Sequence, residues 1–153
     1  MVKSSSDIGP PSMLHLLHRA SQHADQLFAA AIGNTGLTAR QLIVLDAVAR
    51  ARQPSQTDIC TATGIDRSTL ADIVRRLVGR GLIFRRRTKE DARAYALRLT
   101  EEGRLVLAQC LPIALDVDRQ LVSALPEADR HKLAETLQLI LEQAATASAA
   151  VES

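Results

Sequence analysis

Asp66-Arg67-Ser68-Thr69-Leu70-Ala71-Asp72-Ile73-Val74-Arg75-Arg76-Leu77-Val78 decides how the rest of the chain is read. It opens on Asp66, whose carboxylate can accept from the free backbone N–H groups of a first helical turn. Leu70, Ile73, Val74 and Leu77 follow at i, i+3, i+4 and i+7, the spacing that buries one stripe of a helix. Arg67, Ser68, Thr69, Asp72, Arg75 and Arg76 fall on the other side, where no core can use them. That face is built to touch something polar.

Outward from this helix, Gly79 and Gly81 stop the pattern, and the apolar period changes from 3.6 to 2. Leu82 to Arg87 and Tyr95 to Leu99 read as two strands joined by a polar tip, Thr88 to Ala94. Residues 75–98 hold 9 Lys/Arg and 2 Asp/Glu, a net of +7, while the whole chain is only +2 and the remainder is therefore −5. Charge segregated onto a helix and a hairpin is the footprint of a polyanion site. On the amino-terminal side, Ser55 caps a short helix through Thr63, and Gly64-Ile65 turns into Asp66. A short helix, a tight turn and a second helix is helix-turn-helix geometry, whose second helix enters the major groove of DNA. With the basic hairpin added, the outline is a winged helix-turn-helix.

Beyond this module, Thr38 and Gln41 are spaced as a capping box for a helix to about Arg52, with Leu37 and Leu42 as its hydrophobic staple. A first long helix spans Met13 to about Ile32 and ends at the break Gly33 to Gly36. It carries two adjacent rows, Leu14, Leu17, Ser21, Ala24, Phe28 and Ala31 beside Leu16, Ala20 and Leu27, so it has something to bury on two sides. Thr100 caps a helix with Glu101 and Glu102 in its first turn, running to about Ala124 with a bend predicted at Pro112. Pro126-Glu127 starts the last helix, with a coiled-coil-like stripe of Leu133, Leu137, Ile140, Leu141 and Ala144 and a tail predicted to fray from Ala145. Stripes at both ends of the chain imply association with a second copy, as two-fold operators require. The organisation is thus a flexible tail over 1–12, a dimerisation helix over 13–36, a DNA-binding domain over 37–99, and C-terminal helices over 100–148 that complete the dimerisation region, all integrated as one domain.

Composition sets limits on the rest. With 153 residues and 46% hydrophobic content the chain can bury a core, but no Trp, one Tyr and two Phe leave Leu, Ile, Val and Ala to fill it, which suits packed helices. Cys60 and Cys110 are far apart, in no metal-type spacing, and read as reduced thiols. No signal-peptide pattern and no long uncharged apolar run is seen, so a cytoplasmic location is predicted. No Gly-rich phosphate loop, G-x-S-x-G motif or plausible carboxylate pair supports an enzyme, and no cofactor is implied. A protein-binding winged helix is the competing class, since fold does not dictate function. It would want a neutral or apolar recognition face, and this one is polar and basic.

Gly81-Leu82-Ile83-x-Arg85, Asp91-x-Arg93 and Leu97-x-Leu99-Thr100-x-x-Gly103, with Leu37-Thr38-x-x-Gln41 upstream, resemble the pattern of the MarR family of bacterial transcription regulators, and the likeness extends over nearly the whole chain. The resemblance implies a mainly α fold with a small antiparallel β-hairpin wing, a homodimer on a pseudo-palindromic operator, and a repressor released by a small aromatic or phenolic ligand, such as an aromatic acid or its CoA thioester.

Arg67, Ser68 and Thr69, in the first turn, are candidates for base edges, and Arg75 and Arg76 for phosphates. Asp72 either accepts from a cytosine or orients a neighbouring Arg. Ser55 and Gln56, opening the preceding helix, complete that set. On the hairpin tip, Arg93 suits the narrow minor groove and Lys89 a phosphate, and the resemblance implies that Asp91 braces Arg93. Arg85, Arg86 and Arg87 alternate faces, so at least one pairs within the protein.

His15 and His18 are spaced to share a metal, yet nothing beside them completes a ligand set, and no metal is assigned. In relatives the inducer pocket adjoins the first helix, which makes His15, His18, Arg19 and Gln22 effector candidates. A metal- or redox-responsive regulator of the same fold is the remaining alternative. Redox sensing would need an exposed, low-pKa thiol.

Overall fold

A computed structural model describes residues 10–88 and 95–151, with side chains through residue 144. Its elements are α1 (Met13–Ile32), a 3₁₀ turn (Gly33–Thr35), α2 (Ala39–Arg50), α3 (Gln56–Thr63), α4 (Arg67–Gly79), β1 (Ile83–Arg87), β2 (Tyr95–Leu99), α5 (Glu101–Leu121) and α6 (Glu127–Val151). Fold class follows: mainly α with one antiparallel hairpin, in winged helix-turn-helix order.

Local hydrogen bonds explain why the helices start where they do. Ser12 caps α1, accepting from His15 N at 3.2 Å. At α2 the Thr38 hydroxyl accepts from Gln41 N (3.2 Å) while Gln41 Oε1 accepts from Thr38 N (3.1 Å). Leu37 and Leu42 on either side are buried, as a staple requires. Ser55 and Asp58 repeat the reciprocal arrangement at α3, and Asp66 accepts from Thr69 N at 2.9 Å at α4. Each cap satisfies backbone donors that a helix start leaves open. Gly64, at φ +69°, closes α3 in the left-handed region and gives its N–H to Cys60 O at 2.8 Å.

The sequence divides into two compact units, residues 1–117 and 118–153. In the first, the core is aliphatic: Leu45 and Val48 of α2, Ile59 of α3, Leu70, Ile73, Val74 and Leu77 of α4, Ile83 and Leu97 of the hairpin, and Leu107 of α5 are all buried. The hairpin pairs Ile83 with Leu99 through Arg87 with Tyr95. Its β2 edge is extended by Leu97 N donating to Pro54 O at 2.8 Å.

The hairpin is tied to α5 by a compact junction. Thr100 Oγ1 donates to Gly81 O (2.6 Å) and accepts from Gly103 N (2.9 Å), and Thr100 N donates to Leu82 O (3.0 Å). A Cβ on Gly103 would stand 1.9 Å from Leu82 O, so only glycine fits there. The Thr100-x-x-Gly103 pattern is therefore a packing requirement.

The second unit is the end of α5 and α6. Arg130 reaches back to the turn before α6, donating to Leu125 O (2.9 Å) and Ser123 O (3.2 Å). No described side chain in this unit is buried.

Several boundaries differ from the sequence expectation. The helix from Ala39 ends at Arg50, not Arg52, and α5 ends at Leu121, not Ala124. Gly79 lies inside α4, and the stop falls at Arg80 and Gly81, the latter at φ +69°. Pro112 lies inside α5, where the sequence places it. The helix of the tail runs to Val151, past Ala145, in keeping with alanine's top rank as a helix former.

Candidate nucleic-acid interface

The four buried apolar residues of α4 fix its rotation, and its polar face is thereby turned outward. Arg67, Ser68, Arg75 and Arg76 are exposed, and Thr69 and Asp72 half-buried. Asp66 accepts from Thr69 N (2.9 Å) and from the Ser68 hydroxyl (2.7 Å), and hydrogen bonds from the side chain and backbone of Thr69, then from Ser68, hold its carboxyl well below the usual carboxylate range. The resulting anion at the helix start offsets the dipole's repulsion of Arg67 beside it.

Asp72 sits between two guanidinium groups. It accepts from Arg75 Nη2 and, at 2.8 Å, from Arg76 Nε, and the two arginines depress its pKa. Of the two roles left open for Asp72, this geometry is that of an orienting residue. Both pairs are exposed and of little account for stability. They fix instead where two positive charges point.

The helix-turn-helix and the hairpin meet at Arg85, whose Nη2 donates to Gln56 Oε1 at 3.2 Å. Arg85, Ser68, Asp72 and Arg75 line one shallow depression of about 490 Å³ along α4. Arg87 donates to the Tyr95 hydroxyl at 3.3 Å, with its guanidinium 5.8 Å from that ring's centroid. Two of the three consecutive arginines thus have partners inside the protein. Ser55 is engaged with Asp58, whose pKa is lowered by the Ser55 N–H and hydroxyl. Lys89, Asp91 and Arg93 lie outside the described residues.

Arg40 escaped the sequence reading. It is exposed in the first turn of α2 and shares a depression of about 400 Å³ with Thr38, Ser68, Thr69, Asp72 and Arg76. A signal existed: a cation in a helix's first turn opposes the dipole, so it wants another reason to be there. Arg80 was also not singled out. From the end of α4 it donates to Gly36 O (3.1 Å) and Thr35 O (2.5 Å), anchoring the helix to the turn after α1.

The effector candidates His15, His18, Arg19 and Gln22 are all exposed on α1, and the cavities described in this structure are lined by other residues. Among the described residues no three His, Cys, Asp or Glu side chains converge as a metal would need. Cys110 is fully buried, and burial pushes its thiol pKa up, while Cys60 is half-buried. No helix among the described residues is long and apolar enough to cross a membrane.

Comparison with known proteins gives this geometry a family. The MarR family model matches residues 35–94, from the turn before α2 to the hairpin. The putative transcriptional regulatory protein for the hcr operon of Thauera aromatica is 30% identical over 128 residues, 83% of this chain and 77% of that protein. The structure of Bordetella bronchiseptica BpsR, described for the regulation of its DNA binding by 6-hydroxynicotinic acid, superposes with a TM-score of 0.80 at 29% identity, covering 86% of this chain and 97% of that one. The transcriptional repressor CouR, solved on a 23-mer DNA duplex, gives 0.77 at 29% identity over 85% and 92%. With the helix-turn-helix, the hairpin and the Thr100–Gly103 junction all in place, the chain belongs to the MarR family of winged-helix, DNA-binding transcription regulators.

Proposed function

We propose that the protein acts as a homodimeric repressor that reads a pseudo-palindromic operator and releases it when a small aromatic or phenolic ligand binds. The observation that carries the DNA part is the outward face of α4, where three arginines, two hydroxyls and a carboxylate serve no core. In this reading Arg67, Ser68 and Thr69 meet base edges, while Arg75 and Arg76, held by Asp72, take phosphates. Ser55 and Gln56 at the start of α3, and Arg40 at the start of α2, flank them. Lys89 and Arg93 extend the contact to the minor groove, with Asp91 bracing Arg93.

The dimer is supported by apolar surface that one chain leaves open. Leu14, Leu16 and Leu17 on α1 are 68%, 45% and 38% exposed, and α6 shows a comparable stripe. Surface of this kind marks an association site. The ligand class is supported by BpsR, whose DNA binding is regulated by a hydroxylated aromatic acid. His15, His18, Arg19 and Gln22 are the groups proposed to fix such a ligand once a second chain encloses them. Burial of Cys110 disfavours an oxidative switch.

Selection from random duplexes, followed by gel shift with hydroxylated aromatic acids, their CoA thioesters, Zn²⁺ and peroxide, tests the whole. One enriched two-fold sequence, released by an aromatic acid, is expected. No enrichment would refute sequence-specific binding. Release by peroxide alone, lost in Cys60→Ser or Cys110→Ser, would overturn the ligand class.

A further inference from the structure

We propose that Ala71 reads a thymine, taking the 5-methyl group of one base into the depression between α4 and the hairpin. This rests on the base-reading role given to α4 above and adds a determinant of specificity that the polar contacts leave out.

Ala71 stands out on its own helix. In residues 67–76 the exposed side chains are Arg67, Ser68, Ala71, Arg75 and Arg76, and Ala71 alone has no polar atom. Ser68, Ala71 and Arg75 follow at i, i+3 and i+7, one line along the outward face. At about 1.5 Å of rise per residue, Ala71 lies about 4.5 Å along the axis from Ser68, close to the roughly 3.4 Å between successive base pairs, so the two side chains address neighbouring steps.

The surroundings give that small apolar surface a use. Ala71 and Val78 form the apolar part of the depression of about 490 Å³, and Ser68, Asp72, Arg75 and Arg85 form the rest. Its two cations come from different elements, and each is held by a partner within the protein: Arg75 of α4 by Asp72 Oδ1, and Arg85 of β1 by Gln56 Oε1 at 3.2 Å. A DNA strand along the depression would set its phosphates against these guanidinium groups, which fixes register, and turn a base edge toward Ala71.

The neighbouring carboxylate does not compete for the base. Asp72 could select cytosine by accepting from its exocyclic amine, but each of its oxygens already accepts from an arginine, Oδ1 from Arg75 and Oδ2 from Arg76. What remains at this point of the helix is a methyl-sized apolar contact, and thymine is the base that presents a methyl in the major groove. An exposed alanine elsewhere would count only as a good helix former. This one lies between two oriented cations on the face that serves no core.

Binding isotherms of the full chain on a duplex enriched by selection test this, with each thymine replaced in turn by deoxyuridine, which pairs identically and lacks the methyl. One thymine in each half-site is expected to respond, its replacement weakening binding roughly fourfold, the worth of one buried methyl group. At that position 5-methylcytosine paired with guanine should bind roughly fourfold more tightly than cytosine paired with guanine, for the same reason. Ala71→Gly should bind the thymine and uracil duplexes equally, and Ala71→Ser, which spares the helix the entropy cost of glycine, should bring their ratio below about twofold. Thr69→Ala and Arg85→Gln, each weaker overall, should keep the ratio of the parent chain. A loss of helix stability alone would weaken both duplexes alike and leave the ratio untouched. A duplex with no responsive thymine, a ratio unchanged in both Ala71 variants, or a ratio lost in Thr69→Ala instead would each overturn this inference and leave sequence-specific binding standing. Failure of selection to enrich any sequence would overturn both.

Discussion

In α4, Leu70, Ile73, Val74 and Leu77 keep at most 7% of their surface, whereas in α6 Leu133, Leu137, Ile140 and Leu141 keep between 37% and 68%. Both are helices with an apolar stripe at helical spacing. The first is closed by α2, α3 and the hairpin within one chain, and the second has no described buried residue at all. A long helix with an open stripe gains too little from propensity alone to be its own support in water. The contrast teaches that the helix-turn-helix closes its own core, whereas α6 keeps its stripe at the surface, where the proposed dimer would cover it.

The largest effect should come from breaking the open half. Leu137→Glu with Ile140→Glu places charges on the α6 stripe and leaves the module alone. If two modules read one operator together, separating them should cost about 10²- to 10⁴-fold in operator affinity through lost bivalency. Gel shift would show this, with circular dichroism reporting an intact hairpin and core. Undiminished affinity would break the comparison.

Next, Gly103→Ala attacks the closed half at its tightest approach. The new Cβ collides with Leu82 O, and backbone has nowhere to go. A loss of about 3 kcal/mol in chemical denaturation is expected, the upper end of what overpacking costs. A neutral change would mean that the hairpin is not seated on α5 as described.

The distinction between Gly103 and the capping residues also marks what the sequence made legible. Thr38 with Gln41, Ser55 and Asp66 announce helix starts because each acts on a backbone group three residues away. The switch from period 3.6 to 2 after Gly81 reveals the hairpin for the same reason. What stayed hidden acts across the chain: Arg80 on the carbonyls of Thr35 and Gly36, Arg85 on Gln56, and Gly103 under Leu82. The Ser55–Asp58 box was half read, since Asp in place of Glu or Gln at its third position departs from the usual motif. Asp72 could be listed as polar, but only the fold shows it holding two arginines at once. The hairpin-tip assignments, Lys89, Asp91 and Arg93, lie outside the described residues.

Within the module, the polar face should divide by role. Thr69→Ala or Arg67→Ala is expected to lose about 1–3 kcal/mol of discrimination between the operator and its single-base variants. Arg76→Ala should weaken operator and random duplex alike and reduce the salt slope by about 1. Binding isotherms at several salt concentrations check both. Equal losses on all sequences for all three variants would remove the division.

The smallest effect belongs to a cap. Thr38→Ala removes one half of the α2 box and should cost about 1 kcal/mol of stability without altering discrimination between duplexes. Thermal denaturation and competition binding would register the two parts separately. A change in discrimination would assign Thr38 to the interface with Arg40.

Sedimentation of the chain, alone and on a duplex enriched by selection, addresses the contrast between closed and open halves most directly. The expected result is a particle of twice the 16.6 kDa chain mass that persists at micromolar concentration and places two chains on one duplex. A 16.6 kDa monomer that binds the same duplex one to one, with full affinity, would contradict it.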